Sequence, residues 1–210
     1  LWFYGLAILA LFGGLAGGAT LAFGWAPQYF GHVRLAHIHL NVLGFITLAI
    51  VGTMHNLFPT VLNVPLHNPA LARAVMALFP TGLAILIAGF LNSSVYIEMA
   101  GGGVLIVGAL LYALNIVKTW LASGQTGSAA SDHLLTGTFF LVLTLALGVL
   151  VAANSVSDPP TMPFGSLHLI GYTHLALVGY IFQTILGALS HLIPITVAVG
   201  RVQSPKRRAP

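Results

Sequence analysis

The segment RLAHIHLNVLGFITLAIVGTMHNLFP, from Arg34 to Pro59, decides the fold, because it carries a single charge over a length that crosses a bilayer. A hydrocarbon core about 30 Å thick needs about 20 largely apolar residues of helix. Outward from this segment the same pattern recurs. Apolar runs fall at about Trp2–Phe23, Val33–Phe58, Pro69–Leu91, Ile97–Leu121, His133–Ala153 and Ser166–Val199, with breaks rich in Gly, Pro, Asn and Ser between them. The runs are continuous, whereas the strands of a membrane barrel alternate over about ten residues. The expected fold is therefore all-α, a polytopic protein of six transmembrane helices forming one domain over 1–200, with a basic tail over 201–210.

Composition agrees. Of 210 residues 58% are hydrophobic and 5% charged, against roughly 25% charged in a soluble domain, and most of the surface must face lipid. The mean hydropathy is +0.98. Three of the seven basic residues are Lys206, Arg207 and Arg208, so the basic balance points to a membrane-proximal anchor and not to nucleic acid. Arg73, Lys118, Arg201 and the tail fall on the side of the termini, and Arg34 alone on the other. That bias predicts cytoplasmic termini in a prokaryotic inner membrane. The chain opens at Leu1 inside a run long enough to span, so a cleaved signal peptide is not expected. Without cysteine there is no disulfide, thiolate ligand or iron–sulfur cluster.

Nine histidines in so apolar a chain are the strongest chemical signal, since polar groups inside a bilayer are costly and mark function. They form two layers. His32, His37, His39, His168 and His174 lie at the outer ends of helices 2 and 6, and His55, His67, His133 and His191 at the inner ends. His55 is roughly 24 Å of helix below His39. A displacement of 135 positions carries His39 onto His174, Gly44 onto Gly179, Gly52 onto Gly187 and Pro59 onto Pro194. Helices 1–2 are thereby expected to repeat as helices 5–6 in the same orientation.

Imidazole ligates haem iron, copper and zinc. The three acids, Glu98, Asp132 and Asp158, are too scattered for a carboxylate-bridged centre. The metal candidates are His37, His39, His174, His168, His55, His191 and His133, with Gly44 and Gly179 giving clearance for a ring. Each has a bland alternative: interhelical hydrogen bonds for His39 and His174, close packing for the glycines, and solvated or interfacial ends for His168, His55 and His191. His37 competes with His39, since two residues turn a helix by about 200° and both cannot bind one iron. Asp132 is expected to cap helix 5 beside His133, and His32 and His67 to lie in loops. Glu98 reads as a first-turn charge, with a proton or metal role as the alternative. Trp2, Trp25, Trp120 and the tyrosines read as an aromatic belt, with Tyr172 placed to bond a ligand as the other option. Phe79-Pro80-Thr81-Gly82 is a possible kink, but clear broken helices of the transporter kind are lacking.

Arg34 with His37 and His39, followed by Asn41, Gly44, Phe45, Gly52 and the run Leu57, Phe58, Pro59, resembles the second helix of the catalytic subunit of haem–copper oxidases and nitric oxide reductases. It is also similar to haem- and copper-containing membrane proteins tied to nitric oxide stress. The resemblance covers six helices, about half of a twelve-helix subunit. It implies a low-spin haem b held by His37 or His39 beside Arg34, with His174 as the partner through the repeat. The residues of a copper-site helix are missing, because Gly171, Tyr172, Thr173 and His174 stand where a His-Pro-Glu segment is expected and no His-His pair follows.

The resulting expectation is an electron-transfer subunit of an oxidoreductase complex, not a complete oxidase, passing electrons through bis-His haem b. A second haem or a copper at the inner layer would use His55, His191 and His133. Expected partners are other membrane or periplasmic subunits, a cytochrome c, cupredoxin or quinone, and the bilayer. The rivals are a copper- or metal-handling accessory protein and a structural subunit whose histidines only lock helices.

Overall fold

The computed structural model describes residues 2–157 and 167–203, with side chains through residue 198. Asp158, Ser166 and the tail residues Lys206, Arg207 and Arg208 lie outside the described residues. Among the described residues there are helices and no strand, and six helices are long and apolar enough to cross a membrane. We number them α1 (Trp2–Ala22), α2 (Pro27–Leu62), α3 (Pro69–Leu91), α4 (Val95–Ser123), α5 (Ala129–Ser155) and α6, which begins at Leu167 and runs to Gln203.

The ends follow local chemistry. Asn68 caps α3, its side chain accepting from the amides of Ala70 and Leu71, with Pro69 in the first turn. Ser128 and Ser131 form a reciprocal cap on α5, so the cap lies four residues before Asp132, which sits in the first turn instead. Left-handed Asn63 and Gly124 end α2 and α4. Three expected boundaries shift. Pro59 does not end α2, which continues a turn to Leu62, because neighbouring helices and local backbone adjustment tolerate proline in a membrane helix. His32 lies within helix. Arg201, expected in the tail, extends α6.

Lipid is as apolar as leucine, so helices here associate through close packing and interhelical hydrogen bonds. Glycines let the backbones approach. A Cβ on Gly101 would strike the backbone nitrogen of Leu86, and one on Gly89 would lie 2.6 Å from that of Glu98, which draws α3 and α4 together. The core gathers Val51, Met54 and Phe58 of α2, Val75 and Phe79 of α3, Leu105, Tyr112 and Ile116 of α4, and Leu134 and Leu141 of α5. The loop between α2 and α3 is pinned to α4. Buried Asn115 accepts from the amide of Asn68 at 2.9 Å and donates to its carbonyl at 3.0 Å, and the amide of His67 donates to Thr119 Oγ1 at 3.0 Å.

Two helices are not α-helical throughout. Leu40–Thr47 in α2 and Leu175–Phe182 in α6 are wound as π-helix. Thr47 Oγ1 bonds the carbonyl of Val42, five residues back, at 2.9 Å. Such segments are rare and recur at functional sites. Each begins one residue after a histidine, His39 or His174.

Candidate functional site: the histidines of helices α2 and α6

His39 ends the first α-helical part of α2. Its Nδ1 lies 2.8 Å from the carbonyl oxygen of Leu35. A carbonyl only accepts, so Nδ1 carries the proton and Nε2 keeps its lone pair. That lone pair accepts from the Tyr172 hydroxyl at 3.3 Å. The ring lies 4.7 Å from that of Phe90, tilted by 46°. A cavity of about 220 Å³ opens beside it, walled by Leu43, Phe90, Glu98, Leu145 and Tyr172, among others. Glu98, in the first turn of α4, thus faces the cavity that His39 faces, and Gly89 makes room for it.

His37 points the other way. Its Nδ1 donates to the carbonyl of Gly14 on α1 at 2.6 Å, and its ring lies against Gly18, where a Cβ would stand 2.9 Å from Cε1. Asn41 donates to the His37 carbonyl at 2.8 Å. The two imidazoles therefore serve opposite faces of α2, as the turn of about 200° demands.

His174 repeats the tether, its Nδ1 donating to the carbonyl of Ile170 at 2.8 Å, but it is exposed and does not wall the His39 cavity. His168 is half-buried, with Nδ1 closed off and unpartnered. Arg34 is exposed, and His32 Nε2 meets Ser93 Oγ at 3.1 Å across the α3–α4 turn. The expected ring-clearing glycines are filled by helix contacts. A Cβ on Gly44 would meet Ala10 at 2.5 Å, and one on Gly179 would meet Phe140 at 2.5 Å.

At the opposite end of the bundle, His55 donates from Nδ1 to the carbonyl of Val51 at 2.7 Å. Its ring stacks on Phe3 and meets Tyr112 edge-on, and its Nε2 is buried without a partner. His133 donates from Nδ1 to Gln183 Oε1 at 2.6 Å, tying α5 to α6, and His191 is half-buried. No group of three His, Asp or Glu side chains that could hold a metal ion forms among the described residues.

A haem is tested by what these side chains offer. His39 presents Nε2 beside a cavity, its lone pair taken by the long bond from Tyr172, with Nδ1 held by a carbonyl, the outer bond that orients metal-bound histidine. It fits one axial bond. It does not fit a bis-imidazole pair with His174 inside this cavity, which His174 does not reach. At about 220 Å³ the space is also below the roughly 300–1,000 Å³ of drug-sized ligand sites, so a haem requires the cavity to widen. The contact of Tyr172 with His39 was not read from the sequence, which set Tyr172 beside His174 as a belt residue or the partner of a ligand. The one signal for it is that the 135-residue displacement sets Tyr172 on His37.

Fold and side chains together define a class: an all-helical polytopic membrane protein, its lipid-facing helices carrying backbone-tethered histidines. Comparison of the chain with family models, with curated proteins and with solved structures finds no match to any of them.

Proposed function

We propose that the protein is a membrane b-type haem protein that passes electrons within a respiratory complex. The observation that carries this reading is the shared tether. His39, His174 and His55 each donate Nδ1–H to the carbonyl four residues back, which leaves Nε2 as the ligating atom. Polar groups of this kind inside a bilayer are retained for function, and imidazole is the ordinary axial ligand of b-type haem. His39 would hold the haem iron through Nε2 from the cavity wall, where Tyr172 bonds that atom at 3.3 Å. His174 offers a separate ligand position on the exposed side of α6. His37 positions α2 on α1, and Arg34 lies three residues before it in sequence. When bound, the haem supplies a reversible one-electron change, while this chain orients the imidazole and excludes water with Leu43, Leu86, Phe90 and Leu145.

The proposed repeat belongs to the same reading. The two π-helical segments fall on each other under the displacement of 135 that aligns His39 with His174, which supports a duplicated ligand-bearing helix. Cytoplasmic termini, partner subunits and a quinone, cytochrome c or cupredoxin as redox partner complete the proposal. A reduced-minus-oxidised visible spectrum of the purified protein, with a pyridine haemochrome assay and metal analysis, tests it. A Soret and alpha band with iron is expected. Stoichiometric copper or zinc without those bands sinks the haem reading and selects a metal-handling protein.

A further inference from the structure

A second cavity, of about 180 Å³, lies at the end of the bundle where α1 and α3 begin. Its wall brings together Phe3 and Tyr4 of α1, His55 and Asn56 of α2, and Arg73 and Met76 of α3. Among the described residues no carboxylate pairs with the guanidinium of Arg73. Glu98 lines the cavity at the other end of the bundle, and Asp132 lies in the first turn of α5, accepting from Ser131 Oγ at 3.3 Å. Arg73 is exposed at this end of the bundle, and a cation at a membrane surface attracts anionic groups. His55, on the same wall, turns its Nδ1 to the carbonyl of Val51 and keeps Nε2 buried without a partner. Asn56 adds amide donors, and Arg73 lies in the second turn of α3, near the end where the helix dipole favours negative charge.

Depth narrows the source of the anion. Trp2 is 75% exposed and Tyr4 41% exposed at this end, and amphipathic rings sit at headgroup level in a bilayer. Tyr4 is anchored there by its hydroxyl, 3.0 Å from Thr53 Oγ1. Phe3 and Met76 give the cleft an apolar wall that continues toward the hydrocarbon. We propose that this cleft binds a phosphate oxyanion, the headgroup of an anionic membrane lipid, with Arg73 as the charge partner and Asn56 as a hydrogen-bond donor. Basic clefts between membrane helices recognise lipid headgroups in this way. The cleft is separate from the cavity beside His39.

The test is native mass spectrometry of the full chain in neutral detergent, titrated with phosphatidylglycerol, phosphatidylcholine or inorganic phosphate. Retention of one phosphatidylglycerol in preference to phosphatidylcholine is expected. Arg73→Gln should weaken that retention about five-fold, the size of one cation at a membrane surface, while Lys118→Gln, an exposed cation outside the cleft, should leave it unchanged. Met76→Trp, which fills the cleft without touching its charge, should displace the lipid as well, and it decides the matter if Arg73→Gln fails to fold. Equal retention of the two lipids, or an Arg73→Gln protein that keeps the preference, overturns the proposal. Full occupancy by inorganic phosphate with no lipid preference overturns the lipid source in favour of a soluble anion.

Discussion

Helices α1–α2 and α5–α6 share glycine contacts and a tethered histidine and end in different surroundings. In both hairpins the second helix turns glycines toward the first, Gly44 and Gly52 meeting Ala10 and Phe3, Gly179 and Gly187 meeting Phe140 and Leu134. Both second helices place an i−4-tethered histidine just before a π-helical segment. The register differs. The contact partners stand 34 and 49 residues apart in the first hairpin (44 from 10, 52 from 3), against 39 and 53 in the second (179 from 140, 187 from 134). With about 3.6 residues per turn, α5 is displaced along α6 by about one turn relative to α1 on α2. Cover differs more. His39 lies under Phe90 of α3 and faces a cavity, whereas His174 is exposed. Of the most apolar stretch, 39% is buried in α2 and 11% in α6. Equal local patterns thus yield unequal sites, because the third helix decides whether an imidazole is enclosed.

The comparison can be broken most severely at the π segments. Deleting Val42 should restore α-helical winding in α2 and turn His39 by about 100° against Gly44 and Gly52, with loss of folded, monodisperse protein on gel filtration. Deleting Leu177 from α6 should be milder, since His174 is exposed. Equal losses would show that cover is not the difference. Next in size, His39→Ala should abolish the proposed alpha band while His174→Ala retains most of it, read in reduced-minus-oxidised spectra. The reverse order would move the ligand to α6.

Gly44→Leu and Gly179→Leu should each cost about 1–3 kcal/mol by overpacking, measured as loss of thermal stability in detergent. Here the two hairpins should behave alike, because both glycines face a neighbouring helix. Asn115→Leu should cost about 1–2 kcal/mol, the sum of two interhelical bonds in a membrane protein, and acts on neither hairpin. The smallest effect belongs to Tyr172→Phe, about 0.5 kcal/mol or less, since its 3.3 Å bond to His39 is long. A larger loss would make Tyr172 a structural partner of His39.

The six spans were legible because a run of apolar residues of bilayer length has few other uses, and α3 begins at Pro69 and ends at Leu91 as its pattern predicts. The opposed directions of His37 and His39 followed from helix geometry alone. What was hidden depended on other helices. Pro59 reads as a stop but is carried through by packing, and Ser128 outcompetes Asp132 as a cap because a hydroxyl pair closes on itself. The π segments carry no local signature, and the cavity that joins His39 to Glu98 exists only where five helices meet.

The clamp between Asn68 and Asn115 bears on how the chain is made. The two residues are 47 positions apart, and the amide of Asn68, unlike its carbonyl, which also accepts from Ala72 within α3, finds its partner only once α4 is threaded into the bilayer. During synthesis the α2–α3 hairpin therefore waits, with its turn still hydrated, for the arrival of the following span. Assembly of this bundle has a built-in order, in which the fourth crossing closes a joint left open by the second and third.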